Sequence, residues 1–173
     1  MVDPPWPKKK GGLRTVRPNQ SRSLDYKTMS VDEIFELLKQ EIIPQACEDH
    51  CLFVWTIDQF LSQAESRLES LGYKRHARIV WDKENGVAPC FTVRYSHEYL
   101  LWYYKEKLTQ ISLESRGKYT TVFREKPREH SRKPNAAYAM IDKLYPSLRK
   151  CDVFSREKRE GWDQFGDEPT YFR

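Results

Sequence analysis

Apolar runs of strand length alternate along this chain with stripes of helical spacing, and that alternation constrains the fold more than any other feature. Ser30 followed by Glu33 has the form of a capping box, and Val31, Ile34, Phe35, Leu38 and Ile42 then recur on one helical face as far as Pro44. Cys51–Trp55 is a short apolar run of strand composition. Ile57, Phe60, Leu61, Ala64, Leu68 and Leu71 form a second helical stripe, which Gly72 closes. Residues 73–82, 98–104 and 119–125 read as strands. Pro134 suits the first turn of a further helix with Ala137, Met140, Ile141 and Leu144 on its buried face, and Pro146 follows its end. Residues 150–154 make a last short strand. Strands interleaved with helices predict an α/β domain with a largely parallel sheet. Such sheets bind ligands beyond the carboxyl ends of their strands. Three places of that kind stand out: residues 3–6, 130–134 and 155–168.

The chain has 173 residues, which predicts one domain over residues 1–173. Hydrophobic residues make up 39% and aromatics 13%, enough to bury one core and to exclude wholesale disorder. No apolar run approaches the roughly 18 residues of a membrane span. The start is rich in Pro and Lys and lacks the apolar segment of a secretory signal. With four cysteines and no disulfide-like framework, a reducing, cytoplasmic setting is expected. Cys47, His50 and Cys51 lack a regularly spaced fourth ligand, so buried thiols are expected there and no metal is assigned. The net charge of +5 is compatible with a nucleic-acid partner without requiring one. Residues 7–25 carry Lys8, Lys9, Lys10, Arg14, Arg17 and Arg22, with no acid between Asp3 and Asp25. That segment reads as a basic substrate loop able to hold phosphates, or as a solubilising loop.

Asp3-Pro4-Pro5-Trp6 is the sharpest local signal. Both prolines fix their backbone torsions and donate no hydrogen bond. The Asp3 carboxylate and the Pro4 carbonyl can converge as two acceptors, with the Trp6 indole beside them. That trio suits a flipped base carrying an exocyclic amine, whose two N–H donors meet two acceptors while the ring stacks. The chemistry so served is methyl transfer from S-adenosylmethionine. An aromatic amine is a weak nucleophile because its lone pair is delocalised, and accepting its protons localises that pair. The bland alternative for the tetrapeptide alone is a Pro-rich tail.

Over nearly its whole length the chain resembles the adenine N6-methyltransferases of the MT-A-seventy type, including their short phage and bacterial members. The resemblance rests on Asp3-Pro4-Pro5-Trp6, Tyr26–Ile34, Leu52–Thr56, Gly72-Tyr73 with Ile79–Lys83, Ser96-His97-Glu98, Ser131-Arg132-Lys133-Pro134, and Phe154-Ser155-Arg156 with Gly161–Glu168, in the family's order. It implies a Rossmann-like fold and S-adenosylmethionine as cofactor. Asp3, Pro4, Pro5 and Trp6 would be catalytic. Lys133 would pair with the cofactor's carboxylate, and Phe154, Ser155, Arg156, Asp167 and Glu168 would line the cofactor's ribose side. Tyr26, Thr28, His97 and Glu98 would line or brace the target-base pocket, together with Lys8, Lys9, Lys10 and Arg14 from the basic loop. His97 and Glu98 read equally well as a structural pair, and Trp162 as a packing anchor.

Three departures qualify the resemblance. Family members have a strand leading into the tetrapeptide, and here only Met1-Val2 precedes it. The expectation is a start placed too late, the alternative a truncated copy acting as a catalytically impaired nucleic-acid-binding or scaffold subunit. Asp167 stands where the family has Asn, and residues 88–94 lack its usual Gly- and Trp-containing pattern. DNA is expected over RNA as the polymer, in a bacterial or phage-infected host. A homodimer, or a heterodimer with a homologue, would fit the family. A cytosine-directed amino methyltransferase is disfavoured by Asp3, because that group often has Ser there.

Overall fold

The computed structural model describes residues 1–7, 26–84, 93, 95–129 and 131–172. The first helix, α1 (Val31–Leu37), starts on the expected capping box: Ser30 Oγ accepts the Glu33 N–H at 3.2 Å, and the Glu33 carboxylate accepts the Ser30 N–H at 2.7 Å. It runs on through a π turn at Leu38–Ile42 and a 3-10 turn at Ile43–Gln45, where Pro44 has no N–H with which to continue it. There follow β1 (Cys51–Thr56), α2 (Leu61–Ser70), β2 (Lys74–Asp82), β3 (His97–Tyr104), β4 (Val122–Arg124), α3 (Asn135–Leu144), β5 (Lys150–Val153) and β6 (Trp162–Phe165). Gly72, at φ +82°, turns the chain out of α2, and the Tyr73 N–H returns to the Leu68 carbonyl. Pro134 stands at the N-cap of α3, one residue ahead of its first turn.

The sheet is mixed, not largely parallel. Its four-stranded part has the order β1-β3-β2-β4, with β3 antiparallel to both neighbours and β4 parallel to β2. The physical reason is the β2–β3 connection. Parallel neighbours need a crossover, usually helical, and among the described residues no helix separates β2 from β3. α2 does cross over between β1 and β2, which point the same way, but β3 lies between them. Trp162–Phe165, beyond the last strand expected from the sequence, forms β6 and pairs parallel with β5.

Met1 and Val2 join the two parts of the sheet. Val2 makes parallel bridges to Val54 in β1 and Val153 in β5. Its N–H donates to the Phe53 carbonyl at 2.7 Å, and its carbonyl accepts from Trp55 at 2.9 Å. On the other side the Val153 N–H donates to the Met1 carbonyl at 2.8 Å and the Asp3 N–H to the Val153 carbonyl at 3.1 Å. These few residues therefore hold the backbone groups of two buried strands, and they deliver Asp3 to the strand end.

Both faces of the sheet are covered, as an α/β architecture requires. Phe53, Trp55, Leu100 and Trp102 face α3, through Ala137, Met140, Ile141 and Leu144. Leu52, Val54, Leu101 and Tyr103 face α1 and α2, through Ile34, Phe35, Leu38, Ala64 and Leu68. Strand β3 is thus buried on both sides, which is why 99–104 is a continuous run of apolar and aromatic residues. Cys47 and Cys51 depart from the expected buried thiols: Cys47 is exposed and Cys51 is half-buried. His50 is engaged elsewhere, with Nε2 at 2.7 Å from the Tyr73 hydroxyl. Among the described residues, no helix is long and apolar enough to cross a membrane.

Leu101→Ala should remove about 2–5 kcal/mol of unfolding free energy in urea titration, because Leu101 is fully buried between layers. Leu113→Ala, at 72% exposure, should stay within about 0.5 kcal/mol.

Candidate active site

The carboxyl ends of the parallel strands and the start of antiparallel β3 meet at one edge of the sheet, and there lies a cleft of about 1150 Å³. Asp3 enters it directly after Val2. Lys83 enters just past β2, Glu98 from the second position of β3, and Lys133 from the turn before α3. These side chains form one charged chain. Lys83 Nζ lies 2.6 Å from Glu98 Oε1, Glu98 Oε2 lies 3.2 Å from Lys133 Nζ, and Lys133 Nζ lies 2.9 Å from Asp3 Oδ1. Each lysine also sits over an indole, Lys83 at 5.0 Å from the Trp81 ring and Lys133 at 5.6 Å from Trp55.

The tetrapeptide is tied at every position. The Trp6 N–H closes back on the Pro4 carbonyl at 2.8 Å, a turn that Pro4 and Pro5 favour, and the Pro5 carbonyl accepts the Met29 N–H at 2.9 Å. Trp6 lines the cleft but is also a core residue. Its ring stacks on Phe60 at 5.2 Å, and its indole N–H donates to the Trp55 carbonyl at 3.0 Å. One face of the indole is thereby occupied. Pro4 keeps a second lone pair on a carbonyl that already accepts one bond.

The opposite wall is built by residues 127–129 and 131–133 and by the loop between β5 and β6. Phe154, at φ +61°, sends its N–H to the Phe165 carbonyl at 2.6 Å, which brings Phe154–Arg156 against Gly166–Glu168. A Cβ on Gly166 would lie 3.1 Å from the Phe154 Cα, tighter than ordinary contact, and the φ of +155° there also favours glycine. The Arg156 guanidinium holds Glu168 at 2.9 Å and lies 3.6 Å from the Tyr171 ring and 5.1 Å from the Tyr26 ring. Behind it, Glu157 gathers Arg128, Arg132 and Arg159.

Charge states follow from this packing. Burial pushes the Asp3 carboxyl up to about 6; Lys133 opposes the rise, and Glu98 and Asp152 add to it. Burial works to lower Lys133, but the adjacent Asp3 and Glu98 carboxylates outweigh it and hold the ammonium firmly protonated. Beneath Asp3, burial also raises Asp152, whose Oδ2 accepts the Tyr138 hydroxyl at 2.8 Å.

Most of the residues singled out in the sequence therefore share one cleft: Asp3, Pro4, Pro5 and Trp6; Tyr26, Thr28 and Glu98; and Lys133, Phe154, Ser155, Arg156, Asp167 and Glu168. His97 does not line it. Successive strand residues face opposite sides, so His97 turns away from Glu98 and packs edge-on against Tyr99 at 4.9 Å. Lys8, Lys9, Lys10 and Arg14 lie outside the described residues. Lys83, Trp55, Arg128 and Arg132 line the cleft without having been singled out as site residues. For Lys83 the signal was its place directly after a strand; for the arginines, their place beside Lys133. Trp162 is a buried packing residue, its N–H on Asp142 at 3.1 Å.

The MT-A70 family profile matches residues 1–168. The chain belongs to the MT-A70 family. An N(6)-adenosine-methyltransferase MT-A70-like protein of Arabidopsis thaliana is 28% identical over 97% of this chain, and the match covers 23% of that protein. The type II methyltransferase M.MunI of Mycoplasma sp is 30% identical over 86% of this chain and 61% of its own length. The human N(6)-adenosine-methyltransferase catalytic subunit METTL3 is 25% identical over 97% of the chain and 27% of its own length. The MT-A70 chain thus spans about a quarter of the length of its plant relatives.

A carboxyl raised from its ordinary 3.8 to about 6 binds more protons folded than unfolded between those values, so its contribution to stability falls as pH rises through that window. Replacing Asp3 with Asn removes the dependence. The Tm of Asp3→Asn minus that of the unmodified protein should therefore grow from pH 4 to pH 6 and then level off. A constant difference would contradict the assigned titration.

Proposed function

We propose that this MT-A70 chain transfers a methyl group from S-adenosylmethionine to the exocyclic N6 amine of adenine in nucleic acid. The observation that carries the reading is the Asp3 carboxylate, placed by a rigid Pro-Pro turn in a large cleft and held at 2.9 Å by Lys133. DNA is the polymer we favour, because the chain covers 61% of the Mycoplasma type II methyltransferase against 23% of the Arabidopsis relative.

The cleft fits the cofactor chemically. An ammonium has three donors, and Asp3 and Glu98 engage Lys133 from two sides, leaving a donor for the cofactor's carboxylate. Asp167 and Glu168 offer acceptors to ribose hydroxyls, and Arg156 fixes Glu168. When bound, S-adenosylmethionine supplies an electrophilic sulfonium methyl group. Asp3 Oδ and the Pro4 carbonyl would accept the two N–H bonds of the amine, localising its lone pair for in-line attack. The nitrogen would gain the methyl carbon as the sulfonium–methyl bond breaks and a neutral thioether leaves, and it would lose one proton, which Asp3 would accept and return to solvent. Lys133 keeps Asp3 largely ionised despite its burial, and Glu98, neutralised by Lys83, sets the position of Lys133.

Labelled methyl transfer to adenine-containing DNA and RNA oligonucleotides tests the reading. Asp3→Asn should lower turnover a hundredfold or more, on the order of losses seen when a single oriented polar group is removed, and leave cofactor affinity within about twofold. Full turnover in Asp3→Asn, or no transfer by the unmodified protein to either polymer, would overturn it. Turnover should rise with pH through about 6, as Asp3 ionises. Lys133→Met should move that rise to higher pH and weaken cofactor binding; an unmoved profile would remove Lys133 from this role.

A further inference from the structure

Cations outside the cleft remain unexplained by the site. Strand β4 is the outer edge of the four-stranded sheet and runs parallel to β2, toward the cleft. Arg116, Lys118, Arg124 and Lys126 are exposed along it and just before and after it. Pro127 and Arg128 then line the cleft itself. The run is fixed to the cleft rim, because the Trp81 indole N–H donates to the Glu125 carbonyl at 2.7 Å. Glu125 is the one acid from 116 to 128, and it is turned inward: its oxygens accept the N–H groups of Asn135 and Ala136 at 2.9 and 2.8 Å, capping α3. Arg124 reaches Asp82 at 3.1 Å yet stays 72% exposed. Arg116, Lys118 and Lys126 form no ion pair among the described residues. Tyr119, 41% exposed, stands between Lys118 and the strand.

We infer that this edge is a track for the phosphate backbone of the nucleic-acid strand flanking the target base. The inference rests on the adenine methyltransferase reading and adds a second contact surface to it. An extended strand advances about 3.3 Å per residue, so the run from Lys118 to Lys126 reaches at most about 26 Å, room for several nucleotides. Its charge complements phosphate, and Tyr119 offers a ring on which a base can stack. Cations on an edge strand also deter pairing with another sheet. A three-residue edge such as Val122–Arg124 is already too short to template such pairing, so that duty does not call for cations at 116, 118 and 126.

The test is the triple variant Arg116→Glu, Lys118→Glu, Lys126→Glu in the full chain, with a fluorescent DNA oligonucleotide carrying one central adenine. Its dissociation constant should rise at least tenfold. The slope of log affinity against log salt should shrink by about two to three, as expected when three phosphate contacts are lost. Cofactor affinity, melting temperature and turnover at saturating DNA should be unchanged. An unchanged DNA affinity and salt slope would overturn the track and leave these cations as edge guards. Methyl transfer by the unmodified protein with no effect of the variant sinks the track alone. Track-dependent binding without any methyl transfer sinks the methyltransferase reading alone. Absence of DNA binding by the unmodified protein overturns the track.

Discussion

The Lys133 ammonium, held between Asp3 and Glu98, is the interaction on which the site depends. It draws together the residue after Val2, the start of β3 and the turn before α3. Removing it would leave two carboxylates facing each other in a largely buried setting, where an uncompensated charge is costly. Its position depends in turn on the start of α3. Pro134 fixes the backbone there, and the Glu125 carboxylate satisfies two N–H groups that the first helical turn leaves open. A contact made on the rim by β4 and its extension therefore helps to set the geometry at the centre.

The two walls of the cleft are built by different means. The Asp3 wall is made of strand ends and Pro-Pro geometry, and its backbone is committed to the sheet. The opposite wall is a loop held by a close glycine approach, by Glu157 among three arginines, and by aromatic rings around Arg156. The division matches the two partners of the proposed reaction. The amine has to meet acceptors fixed in advance, since preorganisation is what lowers the barrier. The cofactor has to enter and leave, which a loop wall allows more readily than a strand end.

Much of this was legible in the sequence. The capping box at Ser30, the helix stop at Gly72 and the apolar run of β3 were each readable, because each is a local rule. The direction of β3 was not. Hydrophobic periodicity reports burial and carries no strand polarity, and the signal that mattered was the absence of a helical pattern between residues 83 and 96. β6 escaped because its four residues, Trp162–Phe165, alternate apolar with polar over too short a span to stand out from a loop. In the site, Asp3 and Lys133 were legible from their motifs, but their mutual contact was not, since 130 residues of sequence separate them (133 − 3). His97 stands outside the cleft lining for a simple reason: adjacent strand residues point to opposite faces, and the motif named both members of the pair.

The central claim is that burial and the flanking charges hold Asp3 at a balance where a carboxylate acts as acceptor near neutral pH. Carbon-13 NMR of the Asp3 side-chain carboxyl, followed from pH 3 to 9 and assigned by its loss in Asp3→Asn, tests it most directly. The account expects a midpoint near 6 that climbs when Lys133 is replaced by Met. A midpoint near the ordinary 3.8, unmoved by that replacement, would contradict it.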